Sequence, residues 1–468
     1  MKDLKKTVAY LIPSALMLLC LYASPLTAAA SDAVVFTLPE SVAMALEKSL
    51  SLDSADKVIE KAEWEKRRAF KGFLPTLSGA YTYTRLGEAP ASSAVEYHAL
   101  NTGGGVNSLY PLIPTCAKRV TVGTEDNFQA RLTLAQPLFT GFKLTSSYEL
   151  AKIGIDVSKV DKERETLDVI LKVKESYFGI LQAEKAAQVA EQAVRQFEAH
   201  VNVARNFFNE GMSTKNQVLE AELNRAEAIQ ARIKSENLLS LAKARFNNIL
   251  RRPLDAPVRV EDILAYKPFH HDLPYCLDQA MTFRPEIKAI HLRINMAKEQ
   301  VRFSRAGYYP TVALAANQTW RGDSYRVKGS AYIDDYTSWD VMVGMNWEFW
   351  NWLKTRDAVR SSKADRDMAY NGLMQITDGV RLEVNHYYLS LKEAEKQIFV
   401  AEKAIEGAEE NYLMSEERYK VQIGTSTEVI DAATLLTAAR RRYYDALYSY
   451  NLAWANLERV MGLGRDGI

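Results

Sequence analysis

The forty residues from Val169 to Phe208 read VILKVKESYFGILQAEKAAQVAEQAVRQFEAHVNVARNFF. Within them Val169, Val173, Ser176, Ile180, Ala183, Ala187, Ala190, Val194, Phe197, Val201, Ala204 and Phe208 follow steps of four and three, and only Ser176 is polar. An apolar position every 3.5 residues over five or more heptads specifies a helix that supercoils against partners rather than one that covers a globule. A shift of 211 residues gives a second such line: Val380, Val384, Tyr387, Leu391, Ala394, Ile398, Ala401, Ile405, Ala408, Tyr412, Ser415 and Tyr419. Again a single Ser is the exception.

Proline sets the limits of these tracts. None of the fourteen prolines lies between Pro137 and Pro253 or after Pro310, and an interior Pro costs a helix roughly 3 kcal/mol. The tract from Phe142 to Asn209, at ~1.5 Å per residue, spans about 100 Å if it is continuous. Gly154, Gly179, Gly372, Gly379 and Gly407 weaken these helices by up to ~1 kcal/mol each and are candidate kinks. Each tract contains one turn signal, Asn209-Glu210-Gly211-Met212-Ser213-Thr214 and Gln422-Ile423-Gly424-Thr425-Ser426-Thr427. Gly suits a helix C-terminus there, and Ser or Thr the next N-cap. Two long helical hairpins are expected, returning over Lys215 to Arg252 and Glu428 to Met461.

Upstream of each hairpin the repetition continues. Leu38-Pro39 with Val42, Ala45 and Leu46 reappears as Leu273-Pro274 with Leu277, Ala280 and Met281, and Gly72-Phe73-Leu74-Pro75-Thr76 as Gly307-Tyr308-Tyr309-Pro310-Thr311. Each half therefore opens with a short entry helix. Two strands follow it. The clearest alternation runs from Trp339 to Phe349, where Trp339, Val341, Val343, Met345, Trp347 and Phe349 share one face; Phe128 to Leu134 alternates likewise, and Leu77–Arg85 and Val312–Trp320 are weaker matches. The organisation is a leader over residues 1–30, a first repeat over 31–252, a linker over 253–272 and a second repeat over 273–468.

The chain carries 59 Lys and Arg against 58 Asp and Glu, 47% hydrophobic residues and 10% aromatics, which argues against a strongly basic nucleic-acid binder and against wholesale disorder. After residue 30 no apolar run reaches the 18 residues of a membrane-spanning helix. That leaves a β-barrel open. Lys2, Lys5 and Lys6, the apolar run Val8–Tyr22 and Ala28-Ala29-Ala30 have the pattern of a secretory signal peptide. Leu19 before Cys20 is bulky for a lipoprotein signal, so no lipid anchor is expected. Cys116 and Cys276 remain after cleavage, too few for a disulfide framework.

Strands of ~9 to 11 residues with one apolar face and terminal aromatics fit the thickness of an outer membrane. Trp320, Trp339, Trp347, Trp350 and Trp352 stand at the strand ends and beyond, as interface anchors do. Four strands cannot close a barrel, and an open edge in lipid leaves backbone groups unsatisfied, so several chains must contribute. Helix, strand, loop, strand, helix in each half puts both loops, Leu86–Asp126 and Arg321–Thr337, on one side. Gly103-Gly104-Gly105 and Cys116 fall in the first of them, and Cys276 falls on the helical side.

The duplicated Leu-Pro entry helix, the Gly-x-x-Pro-Thr lead into each strand pair, Gln136-Pro137-Leu138-Phe139-Thr140-Gly141 and the two Gly-containing hairpin turns together resemble the TolC-type outer-membrane efflux family over essentially the whole mature chain. The resemblance implies an α+β membrane protein: a homotrimer whose common β-barrel, four strands per chain, sits in the outer membrane of a Gram-negative bacterium and continues as an α-helical coiled-coil barrel in the periplasm. It implies an outer-membrane channel of a tripartite efflux or type I secretion system, passively conducting cargo delivered by a periplasmic adaptor (membrane fusion) protein and an inner-membrane pump of RND or ABC type. No enzyme activity, cofactor, metal or nucleic-acid partner is expected. No phosphate-binding loop or paired-Cys zinc spacing is present, and His270-His271 reads as a solvated linker pair. An exported coiled-coil adhesin or envelope scaffold without a pore is the alternative.

Glu428 and Asp431, spaced i, i+3, share one face in the first turn of the last helix. By the resemblance they match the acids that ring a pore entrance, and Gly211, Met212, Ser213, Gly424, Thr425 and Ser426 match the hairpin tips where an adaptor docks. The chain departs from the family at the tip lock: Ser426 stands at a basic position and Val421 at a tyrosine position, with Gln217 on the first hairpin. Tyr419 is a possible substitute that the heptad assigns to packing.

Overall fold

The computed structural model describes residues 35–99 and 112–464; the leader and the Gly103-Gly104-Gly105 run lie outside the described residues. The first half contains β1 (Val35–Phe36), α1 (Leu38–Lys48), α2 (Leu50–Lys71), β2 (Thr76–Arg85), β3 (Ala91–Ala99), β4 (Leu112–Thr121), β5 (Asp126–Phe139), α3 (Lys143–Asn209) and α4 (Lys215–Ile249). The second contains β6 (Arg259–Val260), α5 (Leu273–Phe283), α6 (Pro285–Arg305), β7 (Thr311–Gly322), β8 (Thr337–Asn346), α7 (Lys354–Lys420) and α8 (Ser426–Val460).

Both heptad tracts are unbroken helices of 67 residues, so none of their internal glycines ends them. Residues of the first heptad line from Val169 to Ala204 are buried or half-buried, as are all those of the second. The entry helix of each half is not single. Ser49 and Arg284, both extended, break it into α1 and α2 and into α5 and α6. Thr37 and Asp272 cap the starts through the Glu40 and Tyr275 amides, and Pro39 and Pro274 sit in the first turn, where no amide hydrogen bond is lost.

The helices occupy two tiers. Above, α2 packs on α3, α3 on α6 and α6 on α7; below, α4 packs on α3, α3 on α8 and α8 on α7. Thus α3 and α7 run through both tiers while α2 and α4, or α6 and α8, share the remaining positions. The core lies where the tiers meet. There Phe36, Tyr177, Phe246, Leu391, Tyr450 and Leu457 are buried together. The Tyr177 hydroxyl sits 3.0 Å from the Phe36 carbonyl and 2.9 Å from that of Glu261, joining α3 to the β1–β6 pair. Burial pushes that phenol up to about 12.

The main sheet has the antiparallel order β2-β5-β7-β8. Two expectations change. The segment 86–126 is not only loop, because β3 and β4 pair there as an additional hairpin, with a register shift at Glu96/Tyr97 that breaks the alternation. The strand ending the second pair stops at Asn346 rather than Phe349. Trp352 and Leu353 then take φ of +53° and +65°, as Gly141 and Phe142 do at +61° and +69°, to swing each strand into its long helix. At Gly141 a Cβ would meet the Ala306 carbonyl oxygen at 2.6 Å, so that position needs glycine twice over.

Candidate functional site

The register divides the sheet into two chemically different faces. Pairing places Leu77, Tyr81, Ala130, Leu132, Leu134, Leu314, Ala316, Trp339, Val341, Val343 and Met345 on one side, because side chains directly opposite in a ladder point the same way. The other side carries Ser78, Thr82, Gln129, Arg131, Thr133, Asn317, Arg321 and Asp340. Ser78, Thr133, Asn317 and Asp340 form one row across all four strands. Within it the Thr133 hydroxyl donates to Asn317 Oδ1 at 2.8 Å, and Asn317 Nδ2 donates to Asp340 Oδ2 at 2.9 Å. This row was not singled out by sequence, since only the register aligns its members.

The aromatic candidates bracket the apolar face. Trp320 and Trp339 stand near the loop end of the sheet, and Trp347, Trp350 and Trp352 at the helical end. Trp339 is 76% exposed and Trp352 84%. Trp339 and Trp347, the latter one residue past β8, are eight residues apart, about 26 Å along an extended chain, or about 20 Å of height at the ~40° tilt of barrel strands, comparable with the ~25 Å apolar band of an outer-membrane barrel. Every residue of β2 and of β8 is exposed, and these two strands are the sheet's margins, each with one unpaired edge.

At the far end the two hairpins meet. The first turn closes as a Schellman motif, Met212 N–H to Phe207 O at 2.8 Å and Gly211 N–H to Phe208 O at 3.0 Å, with Gly211 at φ +74°. The second repeats it, Ile423 N–H to Arg418 O at 2.9 Å and Gln422 N–H to Tyr419 O at 3.0 Å. The left-handed residue there is Gln422, at φ +63°, not Gly424. The turn motifs were matched by glycine, whereas the backbone matches them by hydrogen bonding. Gly424 is held by crowding instead: a Cβ would lie 3.2 Å from both Arg418 Cβ and Glu428 Oε2. Thr425 caps α8 by accepting from the Glu428 amide at 3.2 Å.

Glu428 and Asp431 are exposed, while Val429, Ile430, Ala432 and Ala433 between and beside them are buried. Ile430 and Ala433 pack on Val194, Phe197 and Ala228. Packing of that face therefore aims both acids away from the helix layer. Met212, at 60% exposure, and Ile423, at 73%, are exposed apolar groups of the turns, as is Val421. The Gln422 amide reaches Met212 Sδ at 2.8 Å.

Ser426 is different, being 1% exposed. Its hydroxyl lies 2.8 Å from His200 Nε2 on α3, and the Tyr419 ring lies 5.1 Å from His200 and 5.4 Å from Phe207. Burial lowers the pKa of His200, with nearby Glu416 acting in the opposite sense. The Tyr419 hydroxyl faces Ser426 and Ser213 yet makes no hydrogen bond. Among the described residues the Gln217 side chain bonds within its own hairpin, accepting from Ser213 Oγ at 2.6 Å. The chain thus builds a His-Ser-Tyr clasp between its hairpins, joining Ser426 and Tyr419 to His200. His200 lies one residue before Val201, off the heptad line, and gave no signal.

Sequence reading also missed the ionic groups at the tier junction. Lys174 and Glu458, both buried, meet at 2.6 Å, and Trp454 Nε1 donates to Glu458 at 3.0 Å. Burial holds the Glu458 carboxyl above its ordinary range against the pull of Lys174. Arg459 joins Asp168 and Glu286 at 2.9 and 3.2 Å, while Arg284 contacts Glu286 and Glu383. His271 of the linker stacks on Tyr275 at 4.2 Å. Cys276 is buried and unpaired, its thiol raised to about 11 by burial.

Comparison with known proteins follows this geometry closely. The family described as Outer membrane efflux protein matches residues 42–250 and 276–463. The alkaline protease secretion protein AprF of Pseudomonas aeruginosa is 21% identical over 352 residues, covering 72% of this chain and 70% of AprF. The outer membrane efflux protein BepC of Brucella suis is 20% identical over 404 residues, covering 86% and 80%. Among solved structures, CusC superposes with a TM-score of 0.74 at 15% identity over 92% of this chain and 93% of its own.

Proposed function

The chain belongs to the outer membrane efflux protein family, and from that premise we propose how it conducts: three copies close one barrel and one helical tunnel, through which cargo passes passively from an inner-membrane pump and periplasmic adaptor to the exterior. The observation that carries this reading is the two-faced sheet with both margins open. Its apolar face suits lipid and its polar row an aqueous lumen. A lone four-stranded sheet would leave the outer edges of β2 and β8 unpaired in hydrocarbon, at several kcal/mol per group. Pairing β2 of one copy with β8 of the next removes both edges, and three copies supply twelve strands. The helical margins, α2 and α4 on one side and α7 on the other, come together in the same closure.

Cysteines at Ser78 and Asp340 test it. Within one chain β2 and β8 are three strand spacings apart, about 14 Å, too far for a disulfide. Oxidation of a scan around these positions is expected to give covalent trimers. A ladder ending at dimers, or no ladder, would refute the arrangement.

At the other end, Glu428 and Asp431 from three copies would focus cations at the entrance, and the turns at Gly211-Met212-Ser213 and Gly424-Thr425 would meet the adaptor. Ser426 is withdrawn from that surface by its burial. Glu428→Gln/Asp431→Asn is expected to abolish cation preference in planar bilayers; unchanged reversal potentials would remove these acids from the role. Crosslinkers at Met212 and Thr425 should capture the adaptor, and capture only along the helical wall would move the docking site.

A further inference from the structure

Over 468 residues the net charge is +1, but the basic residues are unevenly placed. Residues 61–74, 143–160, 296–309 and 354–370 are the helical segments that lead directly into or out of β2, β5, β7 and β8. They hold sixteen Lys and Arg against eight Asp and Glu, and each of the four is net positive. The foot of the sheet therefore carries a basic belt while the remainder of the chain is acidic on balance.

The belt is densest in a groove of about 670 Å³ between α2 and α3, where Lys66, Arg67, Lys71, Lys152 and Lys159 face Glu63 and Asp156. Lys152 meets Glu149 at 3.7 Å at an exposed position, whereas Lys66, Arg67, Lys71 and Lys159 form no ion pair among the described residues. Aromatic groups interleave with these cations: Arg67 lies 4.5 Å over the exposed Trp64 ring and Lys66 5.8 Å over that of Tyr148. Lys298, Arg302, Arg305, Lys363 and Arg366 provide a second set over the corresponding stretch below β7 and β8.

Height and side agree with one occupant. Leu74 lies two residues from the start of β2 and Lys66 ten, and Lys152 lies nine residues into α3, which puts them within ~15 Å of the strand ends, while Lys159, sixteen residues into α3, lies ~24 Å away. A headgroup layer occupies roughly the first 5 to 8 Å beyond the hydrocarbon, and Lys and Arg stems extend toward it. Lys159 and Tyr177 are eighteen residues apart, five turns, and so share one side of α3. Tyr177 donates to the carbonyls of Phe36 in β1 and of Glu261 just after β6; in the proposed cylinder, whose bore must stay clear, that pair lies outside and the groove opens outward.

We infer that this belt binds the anionic phosphodiester headgroups of the periplasmic leaflet, an inference that rests on the sheet spanning the membrane. Lys supplies point charges and Arg a planar fork to phosphate oxygens, and the exposed aromatics belong at a bilayer interface. Each cation near an anionic surface strengthens binding roughly fivefold, and salt screens the effect.

The assembled protein in phosphatidylcholine bilayers, doped with spin-labelled phosphatidylglycerol or spin-labelled phosphatidylcholine, tests it by the motionally restricted fraction in electron spin resonance. Phosphatidylglycerol is expected to be restricted severalfold more at low salt, with the preference vanishing in 1 M NaCl. Lys66→Gln/Lys71→Gln/Lys152→Gln should remove most of it while restriction of phosphatidylcholine stays constant. The corresponding Lys→Arg triple should retain it, as should Lys392→Gln/Lys396→Gln/Lys403→Gln far down α7. Equal restriction of the two lipids, or a preference that survives neutralisation, overturns the inference. Absence of any restricted lipid would instead overturn the membrane-spanning reading beneath it.

Discussion

Acidification should loosen the tip through His200. The ring is 6% exposed, and its Nε2 is matched to the Ser426 hydroxyl at 2.8 Å. Burial depresses its pKa in the clasped state below the 6.5 of a free imidazole. A depressed value means the clasp's contribution is complete above 6.5 and is lost as pH falls toward the clasped-state value. If opening releases the ring to solvent, the cost at pH 5.5 is at most about 1.4 kcal/mol per chain, one pH unit below the free value. That is tenfold in the equilibrium of each clasp. The groups that face the ring are Tyr419 and Glu416 of α7 and Ser426 of α8; Glu416 favours the imidazolium and makes the figure an upper bound. Single-channel recordings of the purified oligomer at pH 7.5 and 5.5 read the effect, in a window above the ordinary carboxylate range. Wild type should dwell longer in wider states at pH 5.5, and His200→Gln, which keeps a hydrogen bond but cannot titrate, should not. An equal acid response in both proteins would refute the reasoning.

Three further outcomes follow from other sites. Lys174→Met strands the buried Glu458 carboxylate and should cost about 3–5 kcal/mol in thermal or denaturant unfolding, whereas Lys174→Met/Glu458→Met should recover most of it. Because the Glu458 pKa is raised, its contribution is present below the ordinary carboxylate value and lost as pH rises, so the single variant should be more stable at pH 5 than at pH 8. Gln422→Gly relieves a left-handed residue and should stabilise the second turn by about 1 kcal/mol, seen as roughly fivefold slower hydrogen exchange around the Gln422 and Ile423 amides; faster exchange would contradict it. Val341→Arg, on the apolar face, should cost about 2–4 kcal/mol and impair assembly in membranes, while Met342→Arg on the opposite face should leave membrane yield unchanged.

The long helices and the alternating strands were legible because each is written in a period, 3.5 or 2, that needs no tertiary information. The proline-free tract from Phe142 to Asn209, with its heptad line, and the alternation from Trp339 to Phe349 placed two elements to within a few residues of Lys143–Asn209 and Thr337–Asn346. What the periods could not carry was anything set by pairing. The polar row from Ser78 to Asp340 exists only in the register, and Gln422 takes the left-handed position because of its place four residues after Arg418, whose carbonyl accepts from the next amide, Ile423, rather than its own preference. The β3–β4 hairpin was hidden by a stretch whose alternation is broken by Pro114 and a register shift at Glu96/Tyr97. Lys174 and Glu458 lie 284 residues apart and find each other only in the packed tiers.

Duplication itself accounts for why the chain is left open. Each half supplies one through-going helix, α3 or α7, and one position that two shorter helices share, α2 with α4 or α6 with α8. The first half's through-helix gains neighbours on both flanks, because the second half provides α6 and α8. Among the described residues the second half's through-helix has these neighbours on one flank only, α6 and α8. The same arithmetic holds in the sheet, where β5 and β7 are paired twice and β2 and β8 once. A module that needs a neighbour on each side is therefore satisfied in the interior of the chain and unsatisfied at both ends, and those ends, α7 with β8 and α2 with α4 and β2, are the complementary surfaces that one module already joins to the next within the chain. Repeating that junction between copies would close a ring with no new kind of contact, as the proposed trimer requires.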